Sequence, residues 1–272
     1  MQVSYPATSR ARTRAADALW YPRLTADADV LHCPTFRGPF RARVPLVVTV
    51  HDLAVLRHPE WFNRWTATYS RFAVPRVVRA ASRVIAVSEF TRRELVDLLG
   101  TPPDTITVVP NAVEDVFSPE GPAAEGDYVL AVGTLEPRKN LERIAAAVDG
   151  ELRVVGARGW GSVRPPGNVT FLGRVDDDEL ARLYRGARCL VYASLYEGFG
   201  IPVAEALACG CPVVTSEGTP MAELAPDAAL VDPTSVESIR EGIARAVRVQ
   251  PRVVATWAEV ARRTWAVYEE VA

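Results

Sequence analysis

The sequence predicts an α/β protein of two doubly wound domains facing a cleft. Three observations lead there: ten short apolar runs separated by helix-like segments, a Pro- and Gly-rich break after the fourth run, and a composition able to fill two cores. At 272 residues, 49% hydrophobic and 24% charged, nothing in the chain reads as disordered.

The first four runs are Asp29–Cys33, Leu46–Val50, Arg83–Val87 and Thr105–Val109. Tyr128–Val132, Leu152–Val155, Val169–Leu172, Cys189–Tyr192, Pro212–Thr215 and Ala228–Val231 follow. Apolar runs of this length between helices read as strands of a parallel sheet, buried on both faces. Residues 116–127 carry Pro, Gly and acidic side chains without periodicity and read as a linker. The expected divisions are therefore residues 1–118, residues 119–255 and a C-terminal helix over 256–272. In that helix Trp257, Val260, Ala261, Trp265 and Tyr268 recur near helical spacing, as expected of a face packing on a core, with the first domain as its expected seat.

A net charge of −2 argues against a nucleic-acid partner. The first 120 residues hold 15 basic and 12 acidic side chains, so that half is mildly basic. No apolar run reaches the roughly 18 residues of a membrane span, and the N-terminus lacks the layout of a signal peptide. A cytoplasmic location follows as an expectation, with the inner face of the membrane as a variant of it. Cys33, Cys189, Cys209 and Cys211 sit in apolar stretches without paired spacing, so buried thiols are expected and no metal site.

Residues 57–83 interleave six arginines with Trp61, Phe62, Trp65, Tyr69 and Phe72. Two readings stay open: peripheral contact with anionic lipid, or an ordinary surface helix with its aromatics in the core, interrupted at Pro75 and charged on more than one face.

Lys139 is the only lysine among 31 basic residues, in Leu-Glu-Pro-Arg-Lys-Asn, 135–140. An ammonium is a compact point charge where a guanidinium is a planar fork, so a retained lysine suggests a site needing the smaller cation. Arg138 and Lys139 follow a strand and are expected at the start of a helix opening at Asn140, where cations oppose the helix dipole unless an anion binds. In the second strand-to-helix loop, 194–205, Gly198 and Gly200 allow close backbone approach and Pro202 suits a first helical turn. Glu205 is expected in that first turn, so that Glu197 and Glu205 could face one pocket.

These residues together resemble a known family. Glu-Gly-Phe-Gly-Ile-Pro-Val-Ala-Glu (197–205), with 135–140, Val-Ser-Glu-Phe-Thr-Arg (87–92), Val-Val-Pro-Asn (108–111), Phe-Leu-Gly-Arg (171–174) and Ala-Leu-Ala-Cys-Gly-Cys-Pro-Val (206–213), is similar to the family 4 retaining glycosyltransferases of the GT-B fold. The resemblance covers roughly residues 29–270 and implies the following. Arg138 and Lys139 bind the diphosphate of a nucleotide-sugar and stabilise the leaving charge, Gly133 lines the donor site, and Glu205 holds the ribose. Glu197 and the amides of Gly198, Phe199 and Gly200 hold the donor sugar, with Ile201 and Pro202 opening the helix behind them. Gly173, Arg174 and Val175 meet the base, and His51 reaches the transferred sugar. No protein nucleophile is assigned; the leaving phosphate is a candidate for taking the acceptor proton.

The resemblance further implies a metal-independent reaction without a cofactor, a GDP-linked donor favoured over a UDP-linked one, mannose as the favoured sugar, and a glycan or lipid-linked acceptor in polysaccharide biosynthesis. The chain departs from the family in two ways. The opening strand and glycine-rich loop are missing, so the first domain is expected to be incomplete, with a sheet edge and an apolar face uncovered; a nucleotide-sugar-binding fragment or partner subunit is the alternative function. Ala112 stands where the family has glycine after Pro-Asn.

Overall fold

The computed structural model describes residues 28–157 and 168–272; the segment before residue 28, where the opening loop was sought, lies outside them. The chain forms two compact units, one running to Pro110 and including Val260–Ala272, the other Asn111–Glu259.

In the first unit β1 (Leu31–Cys33), β2 (Leu46–Val50), β3 (Arg83–Ala86) and β4 (Ile106–Val108) form a parallel sheet in that order. Alternation along each strand sends Val48, Val50, Val84 and Ala86 to one face, where α2 (Arg64–Ala80) and α3 (Glu89–Leu99) bury Val74, Val77, Val78 and Leu95 on them. Between β2 and α2 lies the short α1 (Ala54–Arg57). Asn63 and Ser88 start α2 and α3 by accepting from the amides of Thr66 and Thr91.

The apolar face expected to be bare is covered. Val47 and Ile85 pack with Val267, Val260 and Tyr268 of α9 (Trp257–Glu269). His32 fixes this docking: one ring nitrogen bonds the Tyr268 hydroxyl at 2.6 Å and the other Thr49 Oγ1 at 2.9 Å. The face of α9 differs from its expected pattern, since Val267 is the fully buried residue and Trp257 and Trp265 are more than half exposed. Among the described residues no strand pairs with the outer edge of β1.

The helix expected to break at Pro75 does not. α2 runs through Pro75, held by Ala73, Val74, Val77 and Val78 in the core. Burial of that face outweighs the single backbone bond a proline removes. Trp65 and Phe72 lie outside the core and are exposed, as are Arg64, Arg71, Arg76 and Arg79.

The second unit is a six-stranded parallel sheet of order β10-β9-β8-β5-β6-β7. Its strands are β5 (Tyr128–Val132), β6 (Glu151–Val155), β7 (Val169–Gly173), β8 (Cys189–Tyr192), β9 (Val213–Ser216) and β10 (Ala229–Val231). The helices are α4 (Leu141–Ala147), α5 (Asp177–Gly186), α6 (Ile201–Ala208), α7 (Pro220–Leu224) and α8 (Val236–Arg245). α4 and α8 bury Leu141, Ile144, Ile239 and Ile243 against one face. The four cysteines are buried and free.

The boundary expected at 118/119 falls after Pro110 in the structure. The expected linker is held to the second unit: the Arg185 guanidinium donates to the carbonyls of Ser118, Glu120 and Pro122, and Phe117 packs edge-on against Tyr184 of α5.

Strand order positions the site. From β5 the chain builds outward through β6 and β7, then returns to place β8 on the other side of β5. The loops leaving β5 and β8 therefore splay from adjacent strand ends, the switch point where open α/β sheets bind ligands.

Candidate functional site

At that switch point the β5 loop turns at Gly133, whose amide donates to the Val155 carbonyl at 2.8 Å. A Cβ on the facing Gly156 would sit 2.0 Å from the Gly133 carbonyl oxygen, so only glycine lets the two strand ends approach this closely. Pro137–Lys139 then form a single 3₁₀ turn, and Asn140 takes a left-handed conformation (φ 57°) before α4 begins.

The helix opens at Asn140 as expected, with Arg138 and Lys139 just before it in a 3₁₀ turn of their own, and Asn140 stands at the N-cap position without a side-chain bond to the helix amides. Asn140 is buried and ties three loops together. Its Nδ2 donates to the carbonyls of Ala193 at 3.0 Å and Pro233 at 2.6 Å, while Leu195 N–H donates to the Arg138 carbonyl at 2.8 Å. Asparagine tolerates the left-handed region better than other side-chain-bearing residues, which suits it to this corner.

The loops so clamped bring Arg138, Lys139 and Glu197 together. Arg138 donates to Glu197 Oε2 and Glu136 Oε2, each at 2.9 Å. Lys139 Nζ lies 2.5 Å from Glu197 Oε1 and 2.5 Å from the Tyr192 hydroxyl, which itself donates to Glu197 Oε1 at 3.0 Å. Two cations and two carboxylates thus form a balanced, largely buried cluster. The lysine stem runs along Gly133, where a Cβ would stand 3.2 Å from its Cδ and Cε.

Burial pulls the Lys139 ammonium pKa down, with Glu197 opposing. At Glu197 burial favours the neutral acid, yet Lys139 and Arg138 outweigh it and hold the carboxyl below its ordinary range. Burial and the Glu197 charge push the Tyr192 hydroxyl well up, keeping it a donor. Beside them the Ser194 hydroxyl is buried with no hydrogen-bond partner among the described residues.

The second carboxylate has other partners. Gly200, left-handed at φ 97°, precedes α6, so Glu205 lies in the second turn rather than the expected first. Its Oε2 accepts from Tyr184 Oη at 2.8 Å, and burial raises its pKa to about 7 against that bond. A Cβ on Gly200 would meet Met221 Cγ at 2.5 Å, so this glycine admits α7. Phe199 is buried, Ile201 is exposed and Pro202 sits in the first turn as expected. Gly198 precedes them in the same loop.

Gly173 ends β7 with φ 72°, followed by exposed Arg174 and half-buried Val175. His51 belongs to the first unit, just past β2, where its Nε2–H donates to the Pro34 carbonyl at 3.0 Å. Among the described residues no three His, Cys, Asp or Glu side chains gather so as to hold a metal ion.

Tyr184, Tyr192, Asn140 and Gly156 escaped sequence reasoning. The tyrosines carried a faint signal, each a single hydroxyl in an otherwise aliphatic strand or helix face. Asn140 looked like a helix start, and Gly156 like an ordinary strand end.

Two family profiles match the chain: Glycosyltransferase Family 4 over residues 2–117 and Glycosyl transferases group 1 over residues 161–263. O-antigen chain mannosyltransferase B of Escherichia coli is 32% identical over 262 residues, covering 85% of this chain and 67% of that protein. O-antigen chain mannosyltransferase RfbU of Salmonella typhimurium is 29% identical, covering 72% and 59%. D-inositol 3-phosphate glycosyltransferase of Kineococcus radiotolerans is 28% identical, covering 64% and 48%, so the chain spans between about half and two thirds of these relatives. The fold matches HepE of Anabaena, solved with UDP and glucose, at a TM-score of 0.69 and 20% identity, covering 98% of this chain and 78% of that one. WaaG, a glycosyltransferase of lipopolysaccharide biosynthesis, matches at 0.64 and 16% identity, covering 100% and 80%. With both halves matched in order and the parallel sheets shared with GT-B structures, the chain belongs to the family 4 glycosyltransferases.

Proposed function

We propose that this chain transfers a hexose, with retention, from a nucleotide-diphosphate sugar to a glycan or lipid-linked acceptor. The observation that carries the reading is the cluster of Arg138, Lys139 and Glu197 at the switch point of the second sheet. A diphosphate entering there meets two cations that share Glu197, with Glu136 also paired to Arg138. The phosphate oxygens take over Arg138 and Lys139, and Glu197 is released toward the sugar hydroxyls. The two cations then offset the charge that grows on the leaving phosphate, without a metal in that role. Glu205 accepts from the ribose hydroxyls, with Tyr184 orienting it, and Gly173–Val175 border the base. Mannose as the sugar is favoured by the names of the two O-antigen relatives, and a GDP-linked donor by the sequence resemblance.

Calorimetric titration with GDP, UDP and ADP, followed by donor hydrolysis for whichever binds, tests this. Binding of GDP with turnover of GDP-mannose is expected. Binding without turnover would reduce the chain to a donor-binding module, and absence of any diphosphate binding would remove the reading. His51→Ala is expected to lower turnover and leave GDP affinity unchanged.

A further inference from the structure

Three consecutive carbonyls where β8 ends are each held by a side chain from a neighbouring segment. Thr215 Oγ1 donates to the Tyr192 carbonyl at 3.0 Å, Asn140 Nδ2 to that of Ala193 at 3.0 Å and Ser216 Oγ to that of Ser194 at 2.7 Å. The backbone beneath the charged cluster is pinned, so adjustment there falls to side-chain torsions. Within this frame the Ser194 hydroxyl is buried, the residue being 1% exposed, and has no hydrogen-bond partner among the described residues. A buried hydroxyl left unmatched disfavours the state that leaves it so. Ser194 lies beside the Tyr192 hydroxyl, near enough to pull its pKa down against the rise that burial causes. A phenol oxygen has one proton to give and lone pairs to accept with. Tyr192 gives its proton to Glu197 Oε1 at 3.0 Å and accepts from Lys139 Nζ at 2.5 Å.

Lys139 is the member of this set that a diphosphate draws away. Its departure would strand a buried phenol oxygen without a donor, and the one unspent donor at hand is Ser194. We propose that Ser194 is a positioning residue, which replaces Lys139 as the donor to Tyr192 when a nucleoside diphosphate binds. An N–H···O bond gives way to an O–H···O bond by rotation of one side chain, and no proton changes owner. Tyr192 then goes on donating to Glu197 Oε1, so that the carboxylate keeps one fixed oxygen while the other, given up by Arg138, turns to the sugar. The hydroxyl that is unmatched in the free chain is matched in the loaded one, which favours loading. This inference rests on the assignment of Lys139 to the diphosphate.

Thermal melting and calorimetry of Ser194→Ala test it, with whichever of GDP, UDP and ADP the unaltered chain binds best. The melting temperature of the free variant is expected to rise by about 2 °C, because an unmatched polar group has been removed. Its affinity for the diphosphate is expected to fall about fivefold, with affinity for the matching nucleoside unchanged. These opposite signs separate positioning from a merely structural hydroxyl, whose loss would lower both. Ser194→Cys, which fills the same space with a weak donor, is expected to follow Ser194→Ala in affinity. In a Tyr192→Phe background Ser194→Ala is expected to change affinity no further, since the acceptor is gone. A melting temperature unchanged or lowered, an affinity unchanged in both Ser194 variants, or a full additional loss in the Tyr192→Phe background would each overturn the inference; the last would make Ser194 a direct ligand contact. Absence of diphosphate binding by the unaltered chain would remove the transferase reading and this inference with it, whereas equal binding by the unaltered chain and Ser194→Ala removes the inference alone.

Discussion

Arginine behaves oppositely in the two units. Arg138 is mostly buried, bonded to two carboxylates and locked beside a lysine, whereas Arg71 and Arg79 are exposed and have no carboxylate partner among the described residues. In the first setting desolvation makes each charge depend on its partners, so one change propagates through the cluster. In the second, water screens each charge and only their sum matters. The same residue type is thus a geometric element in one place and a contribution to a field in the other.

Breaking the buried cluster should give the largest effect. Lys139→Ala removes one of two cations from Glu197 and from an incoming diphosphate, and is expected to weaken GDP binding by about 3 kcal/mol, roughly a hundredfold. Guanosine affinity should hardly change, and calorimetry of the two ligands separates them. Equal losses would detach the lysine from phosphate.

Next comes Glu205. Its pKa is raised from 4.5 to about 7 in the folded chain, so the folded state keeps a proton the unfolded state has lost. The stability tied to this group is fully present below pH 4.5 and is lost as pH rises through 7, by roughly 3 kcal/mol. Urea midpoints of Glu205→Gln across that window should lack this fall. If Glu205 accepts from ribose, GDP affinity of the unaltered chain should rise through the same window and stay flat in the variant.

Lys139→Arg sharpens the comparison by keeping charge and changing shape. The stem fits between Gly133 and Tyr192, and a planar fork there should cost about tenfold in GDP affinity. The exposed region should show the smallest response: Arg71→Gln with Arg79→Gln is expected to shift stability by no more than about 0.5 kcal/mol per site and to leave GDP binding alone.

Much of this was legible beforehand for a simple reason. Each of the ten expected strands is present: central strands such as β2, β8 and β9 are buried on both faces and must be unbroken apolar runs, whereas the edge strands β7 and β10 kept the run although they are only half buried, contrary to the expectation. The lone lysine and the glycine loop pointed to the candidate site because their residue types fit few other uses. Partners were not legible. Glu197 and Glu205, eight residues apart, were expected in one pocket, yet Gly200 starts α6 so that Glu205 turns toward Tyr184 while Glu197 faces the cations. Pro75 misled because its local cost is visible in sequence and the core that offsets it is not.

By itself, then, the sequence determined the parallel α/β architecture, the order of its strands along the chain and the two loops that carry charge, since these follow from local hydrophobic period and residue type. The tertiary structure decided which strands became neighbours, and with that the convergence of the β5 and β8 loops. It also decided that α9 covers the first sheet and that Trp65 and Phe72 face solvent. Adjacency of segments tens of residues apart is set by how whole faces pack, and no local period encodes it.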